Sequence, residues 1–415
     1  MKNSTRQIEI MAPVGSYESL DAAIQAGADA VYFGIGNLNM RSLSTANFNL
    51  NDLKKITAIC QKNNIKTYLT VNTVVYNNEL LGMKKIILAA KKYKVTAIIA
   101  HDQAVIQFAR QQKMRIHMST QANISNIEAV RYYSQFADVM VMARELSLEQ
   151  VKKIVSQIKK EKITGPNGEL IKIEIFIHGA LCMAISGKCY LSLHHYNESA
   201  NRGRCLQICR RAYEVKDLET GNKLKIDNKY IISPQDLCTL DFIDQIIDSG
   251  ATVLKIEGRA RPPEYVKTVT ECYRQAIDAY FANKLTLALK KKLKKRLASV
   301  FNRGFWDGYY LGKKLGQWSD VYGSKATAQK LYVGKGRKYF DKIKVGEFLI
   351  EDNVLMTGDK VIITGPVSGF YETKIKEIRL DNKVVEKTNQ GDIVSIPLDH
   401  KIRKSDRLYK IVDKK

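Results

Sequence analysis

The sequence predicts an α/β fold: a (β/α)8 barrel of the TIM type, with a cysteine-rich insertion after its seventh strand, plus a small C-terminal all-β barrel. Three observations carry this expectation. Short apolar segments alternate with amphipathic helical stretches over the first two thirds of the 415-residue chain. The gap between the seventh and eighth apolar segments is far longer than one loop and one helix require. Near position 322 the texture changes to short alternating strands separated by turns.

The strand candidates span 8–13, 30–34, 66–72, 97–101, 115–120, 138–143, 171–179 and 252–258. Each is short and rich in β-branched or aromatic residues, and helical periodicity separates them, as over 19–26, 51–63 and 146–160. Near-continuous apolar strands followed by helices indicate a parallel sheet covered on its outside. Eight such units match a barrel. An open doubly wound sheet is the alternative, and the lack of a Gly-rich dinucleotide fingerprint after the first strand counts against it. Pro262 and Pro263 suit the start of a helix over 262–283. LKKKLKKRL at 289–297 reads as a basic amphipathic helix, either a solvated face or a contact for RNA phosphate. KIKVGEFLIED, GDKVIITGP, YETKIKEIRLDN, GDIVSIPL and DRLYKIV, with their Gly and Asp-Asn turns, predict the terminal β-barrel. The expected domains are 1–285 for the barrel with its insertion at about 180–250, 286–321 for a basic helical linker, and 322–415 for the small β-barrel.

A content of 45% hydrophobic residues with 7 prolines supplies a core and excludes a disordered basic tail. No apolar run reaches the roughly 18–20 residues of a membrane span. The N-terminal MKNSTRQIEIMAP lacks the apolar centre of a secretory signal. A cytoplasmic protein without a membrane partner is expected. The net charge of +25 suits a polyanion but does not by itself identify one.

Cytosolic thiols stay reduced, so the 7 cysteines are not read as disulfides. Cys60 and Cys272 sit alone in helical segments, whereas Cys182, Cys189, Cys205, Cys209 and Cys238 all fall in the insertion. Loops after strands form the active face of a barrel, so the insertion overhangs the mouth. Four thiolates can surround zinc or an iron–sulfur centre. The spacings of six, fifteen and three intervening residues contain no CxxC knuckle, which favours iron–sulfur over a zinc ribbon. Reduced structural thiols are the plain alternative, and Cys238, in SPQDLC, is a fifth candidate ligand.

Polar residues fall at the predicted strand ends: Asn72, His101 with Asp102, Ser119 with Gln121, Arg144 with Glu145, His178, and Glu257 with Arg259. Each also reads as a solvated loop residue or a satisfied hydrogen bond. His178, Glu257 and Arg259 are the strongest candidates, and Arg144 and Arg259 suit bidentate contact with carboxylates or phosphates. HExxH, GxSxG and the P-loop pattern are absent.

The string EIFIHGALCMAISGKCYLS at 174–192 resembles the signature of the collagenase-like peptidase family. MAPVGSYESLDAAIQAGADAVYFG at 11–34, MSTQANISN at 118–126, MARELSLEQ at 142–150 and NRGRCLQICRRAY at 201–213 extend it. ISPQDLC at 232–238, LKIEGRARPPEYV at 254–266 and FNRGFWDGYYLG at 301–312 carry it to about residue 320. The family's name implies proteolysis. Other members are RNA and ubiquinone hydroxylation proteins, which carry a 4Fe–4S cluster on cysteines of this region. The tRNA branch forms 5-hydroxyuridine at the wobble position and depends on prephenate; another group hydroxylates a cytidine of 23S ribosomal RNA, and some members work as paralogous pairs. Chain length, the terminal barrel and the GRCxxxCR pairing resemble the tRNA branch most.

The resemblance therefore implies an RNA hydroxylation enzyme with tRNA as partner and prephenate as co-substrate. Cys182, Cys189, Cys205 and Cys209 would be the cluster ligands, with Cys238 the rival. The cluster is expected beside His178, and Arg144 and Arg259 would hold the carboxylates of the co-substrate. Arg202, Arg204, Arg210 and Arg211 would hold RNA phosphates, and Tyr190 would stack a base. The alternative is a peptidase using a His178–Cys182 pair. That needs only one thiolate, and it accounts neither for five clustered cysteines nor for the charge.

Overall fold

A computed structural model of the chain describes residues 8–43, 48–214, 218–220, 232–312, 316–321 and 323–414. Residues 1–7, part of the insertion, and position 322, where the terminal domain is expected to begin, lie outside the described residues. Eight parallel strands close a barrel. They are β1 (Glu9–Pro13), β2 (Ala30–Gly34), β3 (Lys66–Val71), β4 (Ala97–Ala100), β5 (Ile116–Met118), β6 (Val139–Val141), β7 (Lys172–Ala180) and, beyond an intervening β8 (Asp236–Cys238), β9 (Val253–Ile256). β1 pairs with β2 and β9, and β9 pairs with β7, so the ring has no free edge.

The strands are buried almost throughout because helices cover them outside: α1 (Tyr17–Gln25), α2 (Asp52–Lys62), α3 (Leu80–Lys92), α4 (Gln103–Gln111), α5 (Ile127–Ser134) and α6 (Leu148–Glu161). Local chemistry sets where the helices start. The side chains of Ser16, Asp102, Asn126 and Ser147 accept a backbone N–H from the first turn of α1, α4, α5 and α6. Ser147 and Gln150 complete a reciprocal capping box.

Side chains alternate across each strand, so a second apolar set, including Met11, Tyr32, Tyr68, Ile99 and Val253, forms a cluster of its own. Next to it lies a buried charged layer. Lys255 Nζ donates to Glu174 Oε1 at 2.7 Å, His117 Nδ1 stands 3.4 Å from Glu174 Oε2, and the Tyr68 hydroxyl donates to Glu9 at 2.7 Å. Burial and Glu174 act on Lys255 in opposite senses, and burial wins, lowering its pKa.

β7 outruns the barrel and shifts register between Phe176 and His178. Its end pairs antiparallel with β8, setting Cys238 opposite His178 and Asp236 opposite Ala180, and β10 (Phe305–Trp306) runs parallel beside β8. The insertion thus adds a small extension at the mouth, with α7 (Leu191–Tyr196) within it. After it come α8 (Ile243–Asp248), α9 (Pro263–Phe281) and α10 (Leu287–Ala298). The basic pattern at 289–297 does form a helix, but several of its cations are engaged. Lys290 is buried against Asp244 at 2.8 Å, Lys294 pairs with Asp241, and Arg296 meets Glu271 at 2.7 Å. α10 fastens to the barrel through these pairs and through buried Leu293 and Leu297.

The C-terminal unit is an eight-stranded antiparallel sheet. Its strands are β11 (Ala328–Phe340), β12 (Val345–Ile350), β13 (Lys360–Gly365), β14 (Gly369–Lys374), β15 (Ile378–Leu380), β16 (Lys383–Val385), β17 (Ile393–Pro397) and β18 (Arg407–Asp413), around a core that includes Val333, Phe348, Val361, Val394 and Leu408. It rests on α1. Ala22 packs with Ile362 and Phe370, and Asp21 accepts the Phe370 N–H at 2.8 Å. Among the described residues, no helix is long and apolar enough to cross a membrane.

Candidate active site

The C-terminal ends of the barrel strands converge on a charged centre. Glu257 follows β9 and pairs with Arg41, from the loop after β2, at 3.0 Å. Burial works against the Glu257 carboxylate, but Arg41, Arg261 and Arg144 outweigh it and hold its pKa at about 2. Arg259 is buried and reaches Asn39 Oδ1 at 3.0 Å and Thr70 Oγ1 at 2.9 Å; burial lowers its pKa to about 10. Arg144 stacks on Phe176 at 4.2 Å and donates to the Ala180 carbonyl at 3.3 Å, while its buried Nε has no hydrogen-bond partner among the described residues. Gly179 makes the crowding tolerable. Its φ is +108°, and a Cβ there would stand 2.5 Å from the Glu257 carbonyl oxygen.

The insertion brings four thiols within electrostatic reach of one another. Cys182 is exposed, and Cys189, Cys205 and Cys209 are half-buried. Burial pushes Cys209 up to about 11, against the pull of Arg210, and Cys182, Cys205 and Cys189 add to the rise. Cys189 is raised by burial and likewise feels Cys182 and Cys205. The charge of Cys205 also acts on Arg41, which links the thiols to Glu257. Cys238 stands apart. It is buried under the Tyr273 hydroxyl at 3.9 Å, and burial raises its pKa to about 11.

No three His, Cys, Asp or Glu side chains among the described residues are arranged to hold a single metal ion. By donor type alone, thiolates are the set that zinc or an iron–sulfur cluster takes.

His178 is not among these thiols. It is fully buried, its Nδ1 lies 3.3 Å from the Tyr273 hydroxyl, and its ring packs against Tyr265, Tyr273 and Phe305. Burial drives its pKa down to about 3, so it is neutral. Among the described residues, no hydrogen bond joins His178 to a thiol of the group. The register shift in β7 accompanies its contact with α9.

The four insertion arginines hold the insertion together. Arg202 makes a bidentate pair with Glu79 at 2.6 Å and lies 3.9 Å over Tyr76. Arg210 donates to the Leu181 and Pro234 carbonyls, each at 2.6 Å. Arg204 pairs with Glu198, and Arg211 donates to the Tyr196 hydroxyl at 2.6 Å. Gly203 lets the insertion touch the β2 loop: its φ is +78°, and a Cβ would fall 2.1 Å from the Asn39 carbonyl oxygen.

Of the remaining strand-end residues, Asn72 donates toward Ser119 at 3.3 Å and Gln121 at 3.4 Å, and Asp102 caps α4. Glu145 is exposed. His101 is half-buried, and its Nδ1 has no hydrogen-bond partner among the described residues. Beside it opens a cavity of about 400 Å3, bounded by Tyr76, Gln121, Lys188, Cys189, Tyr190 and Asn201. Sequence reasoning missed Arg41 and Asn39, because nothing in the loop after β2 marks it as a partner of β9. It also missed Asp236 and Arg303, 3.5 Å apart, because β8 itself was not foreseen.

A family model described as Peptidase family U32 matches residues 15–320. A Porphyromonas gingivalis protein named Collagenase is 54% identical over 407 residues, covering 98% of both chains. A tRNA hydroxylation protein of Bacillus subtilis is 31% identical over 416 residues, covering 98% of this chain and 95% of the relative. A 23S rRNA 5-hydroxycytidine synthase of Escherichia coli is 32% identical over 289 residues, which is 69% of this chain and 42% of that protein.

Proposed function

This chain belongs to peptidase family U32, and within that family we propose that it hydroxylates RNA in the cytoplasm, converting a tRNA wobble uridine to 5-hydroxyuridine. One observation carries this reading. Cys182, Cys189, Cys205 and Cys209 gather over the mouth of a barrel whose buried, neutral His178 is engaged with Tyr273. A thiol protease needs a base within hydrogen-bond reach of its nucleophile, and among the described residues no hydrogen bond joins His178 to Cys182. The names of the B. subtilis and E. coli relatives, which refer to hydroxylation of tRNA and rRNA, support the same reading.

Cys182, Cys189, Cys205 and Cys209 are the residues that would hold a 4Fe–4S cluster. When bound, such a cluster supplies one-electron chemistry that side chains lack. The chain's own residues bind and orient. Arg41, Arg144 and Arg259 face one carboxylate, Glu257, and that cationic excess suits a small dicarboxylate of the prephenate type. The +25 charge favours encounter with RNA.

Mass spectrometry of nucleosides from a deletion strain tests the proposal. Wobble hydroxyuridine should vanish, return with the wild-type chain, and stay absent with Cys209→Ser. Unchanged hydroxyuridine rejects the tRNA assignment, and loss of ribosomal hydroxycytidine instead moves the substrate to rRNA. The 54% identity to a protein named Collagenase favours a second reading, proteolysis. Gelatin cleavage that follows the chain to homogeneity supports it; an inert pure protein rejects it.

A further inference from the structure

The cavity beside Cys189 is more fully built than a crevice between loops. Tyr190 is 73% exposed and Tyr76 is 55% exposed, and both rings stand on its wall. Arg202 covers one face of Tyr76, whereas no ring or cation packs on Tyr190 among the described residues. Among the described residues, two buried polar atoms of the lining side chains, His101 Nδ1 and Asn201 Oδ1, have no hydrogen-bond partner, although the Asn72 backbone engages the His101 ring. Buried polar atoms are normally satisfied, so a pair of orphans at one cavity points to a ligand that supplies the missing partners.

Gly187 keeps that edge open. Its φ is +76°, and a Cβ there would stand 3.2 Å from Asn201 Oδ1 and 2.9 Å from the Gln121 side chain. Lys188 is exposed at the rim and makes no ion pair among the described residues. The four insertion arginines, by contrast, are engaged within the fold.

We propose that this cavity seats a single unpaired ribonucleotide. Its base lies on Tyr190, its polar edge meets Asn201 and His101, and its phosphate meets Lys188. An aromatic face, an unsatisfied polar edge and a free cation are the three features that single-stranded RNA recognition combines. A volume of about 400 Å3 holds one nucleotide and excludes a duplex. The inference rests on the RNA reading above and adds where the base goes, with Cys189 on the same wall.

The test uses the full chain purified anaerobically and a fluorescein-labelled RNA stem-loop with 4-thiouridine in its loop. Stacking on an aromatic ring sets the expected loss for Tyr190→Ala at roughly five- to hundredfold in affinity. Tyr190→Phe should retain affinity, because the ring face is kept. Lys188→Ala should weaken binding and reduce the salt slope by about one. Photocrosslinks should map to the segment carrying Tyr190. Tyr190 is exposed, so its replacement leaves the fold intact. Wild-type affinity in Tyr190→Ala and Asn201→Ala, with crosslinks elsewhere, overturns the cavity assignment and leaves the RNA reading standing. No RNA affinity in the wild-type chain overturns both.

Discussion

Glu257 shows how one residue's environment decides its role. Its carboxylate lies among the guanidinium groups of Arg41, Arg261 and Arg144, and its pKa falls from an ordinary 4.5 to about 2. A carboxyl group lowered in the folded state stabilises the fold above its unfolded pKa, and that contribution is lost as pH falls through the folded value. Stability should therefore drop between about pH 4.5 and pH 2, and Glu257→Gln should flatten that part of the profile in urea melts. At neutral pH the same substitution should cost about 1–3 kcal/mol. That is less than the loss of a fully buried pair, because the Arg41 side chain is 31% exposed. A profile of unchanged shape would mean that Glu257 is not held by its neighbours. The sequence placed Glu257 and Arg259 at a strand end but not Arg41. Position along a barrel strand follows from periodicity, whereas a partner in another loop depends on how the ring closes.

At the scale of elements, the insertion behaves as a lid fixed by its own cations and by one glycine. Gly203→Ala would drive a methyl group into the Asn39 carbonyl oxygen at a backbone angle that favours glycine. The expected result is a protein that retains several-fold less iron after gel filtration, with nearly unchanged barrel melting by circular dichroism. Iron retention equal to wild type would show that this contact does not position the thiols. The eight barrel strands were legible because each is a short, largely buried and mostly apolar run. β8 was not, since three residues within a polar insertion carry no period. β11 escaped for another reason: register shifts between Tyr332 and Gly334, and between Gly336 and Lys338, break its alternation. The basic helix α10 was legible as a helix, but the engagement of Lys290, Lys294 and Arg296 with acidic partners appears only once α8 and α9 are in place.

At the scale of the molecule, a closed barrel supplies a rigid floor, the insertion sets four thiols above it, and an antiparallel sheet leans on α1. The charge of +25 is spread so that many cations, including the insertion arginines, already have partners. On the proposed reading, RNA contact would fall to cations that make no ion pair among the described residues, such as Lys188, rather than to the most conspicuous basic motifs. The proposed ligand set rests on the same layout, because Cys238 belongs to the packing between β8 and α9 while the other four act on one another electrostatically. Iron and acid-labile sulfide analysis of anaerobically purified protein tests this most directly. The expected result is about four irons and four sulfides per chain in the wild type and in Cys238→Ala, and loss of both in Cys205→Ser. One zinc per chain, or a Cys238→Ala protein that loses its iron while Cys205→Ser keeps it, would contradict the four-thiol centre.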